Sequence, residues 1–301
     1  MPEALLEGAP LAPYTTLGVG GPARYLVRTE RPEQLERWVQ WAAERELDWL
    51  VLGHGSNVLV ADTGYNGLVI VHRQPTVNRL HVPPSGSEVV LRLSAAWGLA
   101  DVARVTARRG WAGLEWACGI PGTLGGALAG NAGAFGGCLA DCVEGALVVL
   151  GGREPEFHDT GSLSFAYRQC GLLEETEPAA VLSVDMRLRR DEEAACQQRV
   201  RRYDQLRRQS QPGGRSAGCA FRNPPGRAAG ALIDACGLKG LTVGGAQVSG
   251  RHANFVVNAG GATASDIVAL LSMVRRKVYE HHGVVLEPEV RMIGDVGLEE
   301  L

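Results

Sequence analysis

At 301 residues the chain exceeds what one hydrophobic core usually organises, so two or three domains are expected. A composition 45% hydrophobic and 21% charged excludes a disordered or fibrous chain, and a net charge of -3 gives no electrostatic case for nucleic acid or an anionic membrane. The opening MPEALLEGAP carries two glutamates and no basic segment, unlike a secretory signal.

In chain order, residues 31–46 place Leu35, Trp38, Val39 and Ala42 at helical spacing, predicting an amphipathic helix. WLVLG at 49–53 and GLVIV at 67–71 predict buried strands, which closes a small α/β lobe over 1–73. A proline-rich turn, PPSGSE at 83–88, precedes a strand at 89–95 and a helix at 98–110 stopped by Gly110. Strands near 143–150 and 180–188 complete a second lobe, 74–190. A charged helix from 191 ends before Gln211-Pro212-Gly213-Gly214 and opens a third, α/β domain over 191–285, whose last helix spans 265–282. GVVLEPEVRMIG at 283–294 predicts a strand interrupted by Pro288, confined to a sheet edge or a site.

Trp116 to Ala140 carries no charge over 25 residues, long enough to span a bilayer. Its eight glycines, Pro121 and Asn131 would leave backbone groups unsatisfied in lipid, so no membrane segment is expected. The seven cysteines are odd in number and form no C-x-x-C, and no histidine accompanies Cys138 and Cys142. Free thiols, no metal site and a reducing cytoplasm are expected. Lys239 and Lys277 are the two lysines among 30 basic residues, a bias fitting either GC-rich coding or heat adaptation. Glycine is the outlier at 40 residues, roughly double ordinary usage, which points to sharp turns and close approach to a ligand.

Two glycine-rich stretches have the chemistry of a dinucleotide cradle. Gly53-His54-Gly55-Ser56-Asn57 directly follows a strand, where glycines let backbone N–H groups converge on phosphate without Cβ obstruction. Neither a Walker lysine nor the third glycine of a Rossmann turn follows. Cys118-Gly119-Ile120-Pro121-Gly122-Thr123-Leu124-Gly125-Gly126-Ala127, continued by Asn131-Ala132-Gly133-Ala134-Phe135-Gly136, is more specific. Its donor-rich, apolar loop suits a pyrophosphate and a flat ring together.

These stretches, with Tyr14-Thr15-Thr16-Leu17-Gly18-Val19-Gly20-Gly21-Pro22-Ala23, Tyr167-Arg168, Ser216-Ala217-Gly218-Cys219-Ala220-Phe221-Arg222-Asn223-Pro224 and Leu286-Glu287-Pro288-Glu289-Val290, carry a resemblance in family order from about 14 to 294. The chain resembles the UDP-N-acetylenolpyruvoylglucosamine reductase family, within the p-cresol methylhydroxylase/vanillyl-alcohol oxidase superfamily of FAD-binding proteins. The short stretch between Arg168 and Asn223 matches the type II class. The resemblance implies an α+β fold: a two-lobed FAD-binding domain (1–73 and 74–190), a C-terminal α/β substrate-binding domain (191–285), and a tail, 286–301, returning to the first lobe. It implies non-covalent FAD, NADPH as hydride donor and a UDP-sugar substrate. A cytoplasmic enzyme of peptidoglycan precursor synthesis follows, acting as a monomer without nucleic-acid or membrane partners and serving cell-wall biogenesis, cell shape and division.

The cofactor-binding residues implied are Gly53, His54, Gly55, Ser56, Asn57, Gly119, Ile120, Pro121, Gly122, Gly125, Gly126, Asn131, Ala132, Gly133 and Gly136. His54 is expected to be structural, not a covalent flavin link. Reducing an enolpyruvyl ether needs a cation at the substrate carboxylate, an acid sharing the enolate charge, and a proton donor to the α-carbon. Arg168 suits the first role as a permanently charged, two-pronged clamp. Glu289 suits the second, with Glu287 two residues away as support. The family's donor position, usually serine, is Cys219 here. A thiol ionises near ~8.5, so it yields a proton more readily than a hydroxyl. Cys170 likewise replaces a usual serine, weakening whatever hydrogen bond that serine would make. Tyr167, Arg168, Asn223, Lys239, Gln247, His252 and Asn254 fall where the family places its UDP-sugar site. Two other readings remain open at this level: an oxidase of the same superfamily, and a non-catalytic nucleotide-sugar or flavin-binding module.

Overall fold

The computed structural model describes residues 4–74, 80, 86–174 and 177–297; positions 83–85 of the expected PPSGSE turn lie outside the described residues. Contacts divide the chain into two units, each gathered from separate stretches. The first holds the chain up to Leu6, Leu26–His54 and Gly67–Arg207; the second holds Glu7–Tyr25, Gly55–Asn66 and everything from Arg208. One crossing point falls inside the Gly53–Asn57 motif.

The first unit is built on an antiparallel sheet ordered Glu156–Asp159, Val143–Leu150, Ala179–Arg190, Glu88–Ser94, with Trp111–Ala112 also on the long strand. That strand is buried almost continuously over its first half and alternates toward its end. On its open face Arg92 grips both oxygens of Asp185, its cross-strand partner, at 2.7 Å, and Arg187 grips Glu144 at 2.6 and 2.8 Å. Exposed pairs of this kind contribute about 0–1 kcal/mol each, so the apolar face holds the sheet. Helix Leu99–Ala107 buries Leu99, Val102, Ala103, Thr106 and Ala107, a three-four spacing that lays one stripe into the core.

Helix Pro32–Ala43 buries the expected Leu35, Trp38, Val39 and Ala42; Gln34 caps its start by accepting from the N–H groups of Glu30 and Arg31. It stops short of the expected 46 because Glu46 turns left-handed, φ 51°. Strands Trp49–Leu52 and Tyr65–His72 then pair in parallel. Helix Glu193–Ser210 buries Cys196 alone among its described residues. Side-chain contacts tether it: Arg199 to Glu115 and Asp191, Asp204 to Arg104, and Tyr203 stacked on Phe135 at 5.1 Å.

The second unit centres on an antiparallel sheet ordered Arg215–Cys219, Phe255–Asn258, Ala246–Val248, Thr242–Val243. Helix Ala264–His282 packs Ile267, Leu270, Leu271, Val274 and Val278 into its core beside Phe221, Leu232 and Val248. Thr263 and Asp266 cap that helix reciprocally, Asp62 accepts from the N–H groups of Ala264 and Ser265, and Gly283 (φ 63°) ends it. The strand expected over 283–294 is realised at Arg291–Ile293, which pairs in parallel with Val58–Val60, and at an isolated bridge of Pro288 with Phe221. Left-handed Gly283 and donorless Pro288 prevent a continuous ladder.

His72 is 2% exposed; its Nδ1 meets the Thr29 hydroxyl at 2.8 Å and its Nε2 has no hydrogen-bond partner among the described residues. Burial pushes its pKa down to about 4, against the partial support of Thr29. The unfolded chain therefore takes up this proton first, so the stability due to neutral His72 is complete above about pH 6.5 and is lost as the pH falls toward 4. About 2 kcal/mol should be lost by pH 5. Urea midpoints at pH 7.5 and pH 5 should show this loss, and His72→Gln should show less of it.

Candidate active site

In the first unit, Gly53 ends strand Trp49–Leu52 where a Cβ would come within 2.2 Å of Thr123 Oγ1. Thr123 caps the short helix Leu124–Ala129 by accepting from Gly126 N–H at 3.3 Å, so glycine at 53 lets the two cradles approach. His54 continues the tie. Its ring hydrogen-bonds the Gly122 backbone and lies close to Gly98, and burial, then the charge of Arg73, holds its pKa below the ordinary value against Asp101 and Gly122. The N–H groups of Leu124 and Gly125 are engaged by the Trp97 and Ala95 carbonyls, at 2.8 and 3.0 Å. These fix the loop from beneath and leave ligand binding to its other groups.

The second half of this cradle is a hairpin, Gly133–Ala134 against Gly137–Cys138, whose two-residue turn puts both Phe135 (φ 55°) and Gly136 (φ 85°) at positive φ. Asn131, buried, donates to the Ala166 carbonyl at 2.9 Å and accepts from Ala140 N–H at 3.1 Å. Its side chain thus ties the cradle to the next hairpin, Phe165–Ala166 against Gln169–Cys170. At that tip Arg168 is left-handed, φ 59°, with its guanidinium 5.7 Å from the Tyr167 ring. A non-glycine residue held there costs energy and marks a side chain aimed by its backbone. Cys170 does keep a hydrogen bond: its thiol donates to the Leu163 carbonyl at 3.2 Å.

In the second unit four chain segments interlock. The Gly55 carbonyl accepts from Thr16 N–H and hydroxyl, and that hydroxyl also reaches the Ser216 carbonyl at 2.6 Å. Asn57 Nδ2 donates to the Glu289 carbonyl at 3.1 Å, while Arg291 N–H donates to the Asn57 carbonyl. Glu289 N–H donates to the Ala220 carbonyl at 2.8 Å, one residue beyond Cys219. Strand Arg215–Cys219 is bulged: Ser216 pairs with Val257 and Cys219 with Phe255, with one extra residue between and Gly218 at φ 80°. A bulge re-aims the side chain that follows it. The structure thus gathers Asn57, Cys219 and Glu289 on joined backbone. Glu287 is exposed and Glu289 half-buried, so the two carboxylates are not equivalent.

The remaining sugar-site candidates divide. Asn223 accepts from Ala229 N–H at the start of helix Ala229–Ala235, and exposed Lys239 pairs with Asp234 at 2.7 Å on the same helix. His252 lies over Gly230, edge-on to Phe255; burial leads in lowering its pKa, with Lys239 nearby acting the same way. Gln247 faces away from the core between buried Ala246 and Val248. Asn254, in contrast, has both ends of its amide occupied: Oδ1 accepts from Phe221 N–H at 3.0 Å and Nδ2 donates to the Phe221 carbonyl at 2.8 Å. Its removal would leave two buried backbone groups unpaired, at about 1–3 kcal/mol each.

Residues 23–154 match the FAD binding domain model, and 209–293 match the C-terminal domain model of UDP-N-acetylenolpyruvoylglucosamine reductase. The reductase of that name from Chloroflexus aurantiacus is 38% identical over 97% of this chain and 99% of its own length. The chain belongs to the UDP-N-acetylenolpyruvoylglucosamine reductase family. Another such reductase, from Symbiobacterium thermophilum, is 42% identical over 97% of this chain and 93% of its own. The crystal structure of UDP-N-acetylenolpyruvylglucosamine reductase from Thermus caldophilus matches with a TM-score of 0.79 at 37% identity, covering 98% and 100%. The fold class is accordingly the α+β FAD-binding architecture of this reductase family.

The first unit's cradle fits FAD. Gly122 (φ 132°) occupies backbone that side chains rarely adopt, and a Cβ on Gly136 would meet nothing within 4 Å, leaving open space beside the loop. Half-buried Ile120, Ala132 and Ala134 supply apolar surface next to these glycines. Thr16, Thr123 and Asp101 were not singled out in the sequence, although Thr-Leu-Gly-Gly carries the capping signal of Thr123. Among the thiols, burial pushes Cys118 and Cys196 up to about 11 and Cys142 up to about 12, making them poor nucleophiles at neutral pH. Cys219 is half-buried.

Gly53→Ala should drive Thr123 off its cap. The purified variant should stay folded by circular dichroism yet lose most of its visible flavin absorbance; full flavin content would show that the close approach of Gly53 to Thr123 is dispensable.

Proposed function

We propose that this chain reduces the enolpyruvyl group of UDP-N-acetylenolpyruvoylglucosamine to give UDP-N-acetylmuramate, with NADPH as hydride donor and FAD as the redox cofactor, in peptidoglycan precursor synthesis. The observation that carries this reading is the shared anchoring of Cys219 and Glu289: Glu289 N–H bonds the Ala220 carbonyl, and Asn57 bonds the Glu289 carbonyl. A proton donor and a second acid are thereby held on two segments of backbone joined by hydrogen bonds. FAD, when bound, supplies the hydride that the substrate's β-carbon accepts.

The protein's own residues handle the charge. Arg168 pairs with the substrate carboxylate and cannot lose its proton. As negative charge builds at the α-carbon and spreads into that carboxylate, Glu289 shares it, and the Cys219 thiol delivers the proton to the α-carbon. Gly53, Gly55, Ser56 and Asn57 hold FAD together with Gly119, Ile120, Pro121, Gly122, Gly125, Gly126, Ala132, Gly133 and Gly136, while His54 and Asn131 belong to the same cradle and brace it from within through the Gly122, Ala166 and Ala140 backbone. Tyr167, Asn223, Lys239, Gln247 and His252 take the UDP-sugar. By role, residues 1–73 and 74–190 serve the cofactor and 191–285 the substrate. The tail from 286 rejoins the first lobe, supported by the pairing of Arg291–Ile293 with Val58–Val60. The enzyme works as a cytoplasmic monomer on small molecules, without nucleic-acid partners; no helix among the described residues is long and apolar enough to cross a membrane.

The purified protein should be coloured, bleach with NADPH under anaerobic conditions, and regain its colour on adding UDP-N-acetylenolpyruvoylglucosamine. Failure to regain colour would overturn the reading. Cys219→Ala should lower turnover by about 10²–10⁴-fold, while Cys219→Ser keeps substantial activity and abolishes the alkaline limb of the pH profile. Iodoacetamide should inactivate the free enzyme and spare the substrate-bound one. Near-native turnover of Cys219→Ala would remove the thiol from the mechanism.

A further inference from the structure

We propose that Asn254 is a positioning residue for proton delivery: it locks the backbone bearing Cys219 to the backbone bearing Glu289 and makes no contact with substrate itself. This rests on the proposed reductase activity. The bulge before Cys219 is the reason such a device is needed. Cys219 forms the last pair with strand Phe255–Asn258, and beyond it residues 220–222 have no ladder partner in that strand. Asn254, 3% exposed, takes the strand's place. Its amide meets both the N–H and the carbonyl of Phe221, at 3.0 and 2.8 Å, as a neighbouring strand would. Its own carbonyl accepts from Ala220 N–H at 2.7 Å.

The held segment then holds the tail. The Ala220 carbonyl accepts from Glu289 N–H and the Glu287 carbonyl accepts from Arg222 N–H, both at 2.8 Å, on either side of the Phe221–Pro288 bridge. Asn254 is braced in turn, since its N–H donates to His252 Nδ1 at 3.2 Å. Backbone hydrogen bonds therefore run unbroken from Asn254 through Ala220 to Glu289. Without the amide those bonds remain, but Phe221, set between the Ala220 and Arg222 links to the tail, loses both its hydrogen bonds to Asn254, and Cys219 and Glu289 would each drift relative to the α-carbon they serve. Misplacement by about 1 Å costs a catalytic step roughly 10²-fold. Hydride transfer from NADPH to flavin uses neither group and should be indifferent to Asn254.

The test uses the FAD-loaded enzyme in anaerobic rapid mixing, with Asn254→Ala and Asn254→Asp; the aspartate keeps an acceptor for Phe221 N–H but has no donor for the Phe221 carbonyl. Flavin reduction by NADPH should stay within about twofold of wild type, while reoxidation at saturating substrate slows by about tenfold or more. The apparent affinity for substrate should change little. Iodoacetamide labelling of Cys219 in the substrate-free enzyme, followed by mass spectrometry, should become several-fold faster. Three outcomes overturn the proposal: unchanged reoxidation, weakened substrate affinity with unchanged saturating reoxidation (a ligand contact), or equal loss of both half-reactions with a lowered Tm in both variants (a structural role alone). If wild-type reduced flavin is not reoxidised by the enolpyruvyl substrate, the activity assignment itself fails, independently of Asn254.

Discussion

Proline has no N–H to give, so it fits a strand pairing only where the ladder asks for none. Pro288 sits at such a point opposite Phe221, with the hydrogen bonds falling on its neighbours Glu287 and Glu289. Much of the second unit follows from this placement. The chain is carried on to pair Arg291–Ile293 with Val58–Val60, and Asn57, just ahead of that strand, closes back onto the Glu289 carbonyl. The segment bearing Cys219, the loop bearing Asn57 and the tail bearing Glu289 are therefore mutually dependent in position. No one of them could shift without breaking a backbone pair in another.

The first unit meets a different constraint, that of bringing backbone close to backbone. The absent side chain at Gly53 admits Thr123, and the ring of His54 reaches the Gly122 backbone. The cradle is in this sense a packed object before any ligand enters it. Thr123, Asn131 and His54 direct their polar atoms into the protein, which leaves the glycine backbone and half-buried apolar groups such as Ile120 and Ala132 for a ligand.

Periodic features were legible from the sequence because they are local. The buried stripe of helix Pro32–Ala43 and the apolar run of Ala179–Arg190 each occupy one stretch of chain. The glycine cradles were legible for a similar reason, as clusters of one residue type. Asn254 was not: its motif context pointed to the sugar, but its amide reaches a backbone 33 residues away, which no spacing rule reveals. The bulge at Gly218 and the left-handed Arg168 were equally hidden, since both arise from pairing partners and not from intrinsic preference. The passage at Arg207–Arg208 falls in the charged helix that ends before Gln211-Pro212-Gly213-Gly214, a change of composition the sequence displays, but nothing comparable marks the earlier passages after Leu6, Tyr25, His54 and Asn66.

That interleaving bears on how the protein is made. The second unit recruits Glu7–Tyr25 and Gly55–Asn66, yet its four-stranded sheet and helices Ala229–Ala235 and Ala264–His282 lie beyond Arg208. On the ribosome the two early stretches must wait, with strand Val58–Val60 unpaired, until nearly the whole chain has emerged and Arg291–Ile293 arrives. Such late, long-range closure slows folding and leaves edges exposed meanwhile. It also means that neither unit corresponds to a continuous stretch of gene that could be excised and expressed by itself.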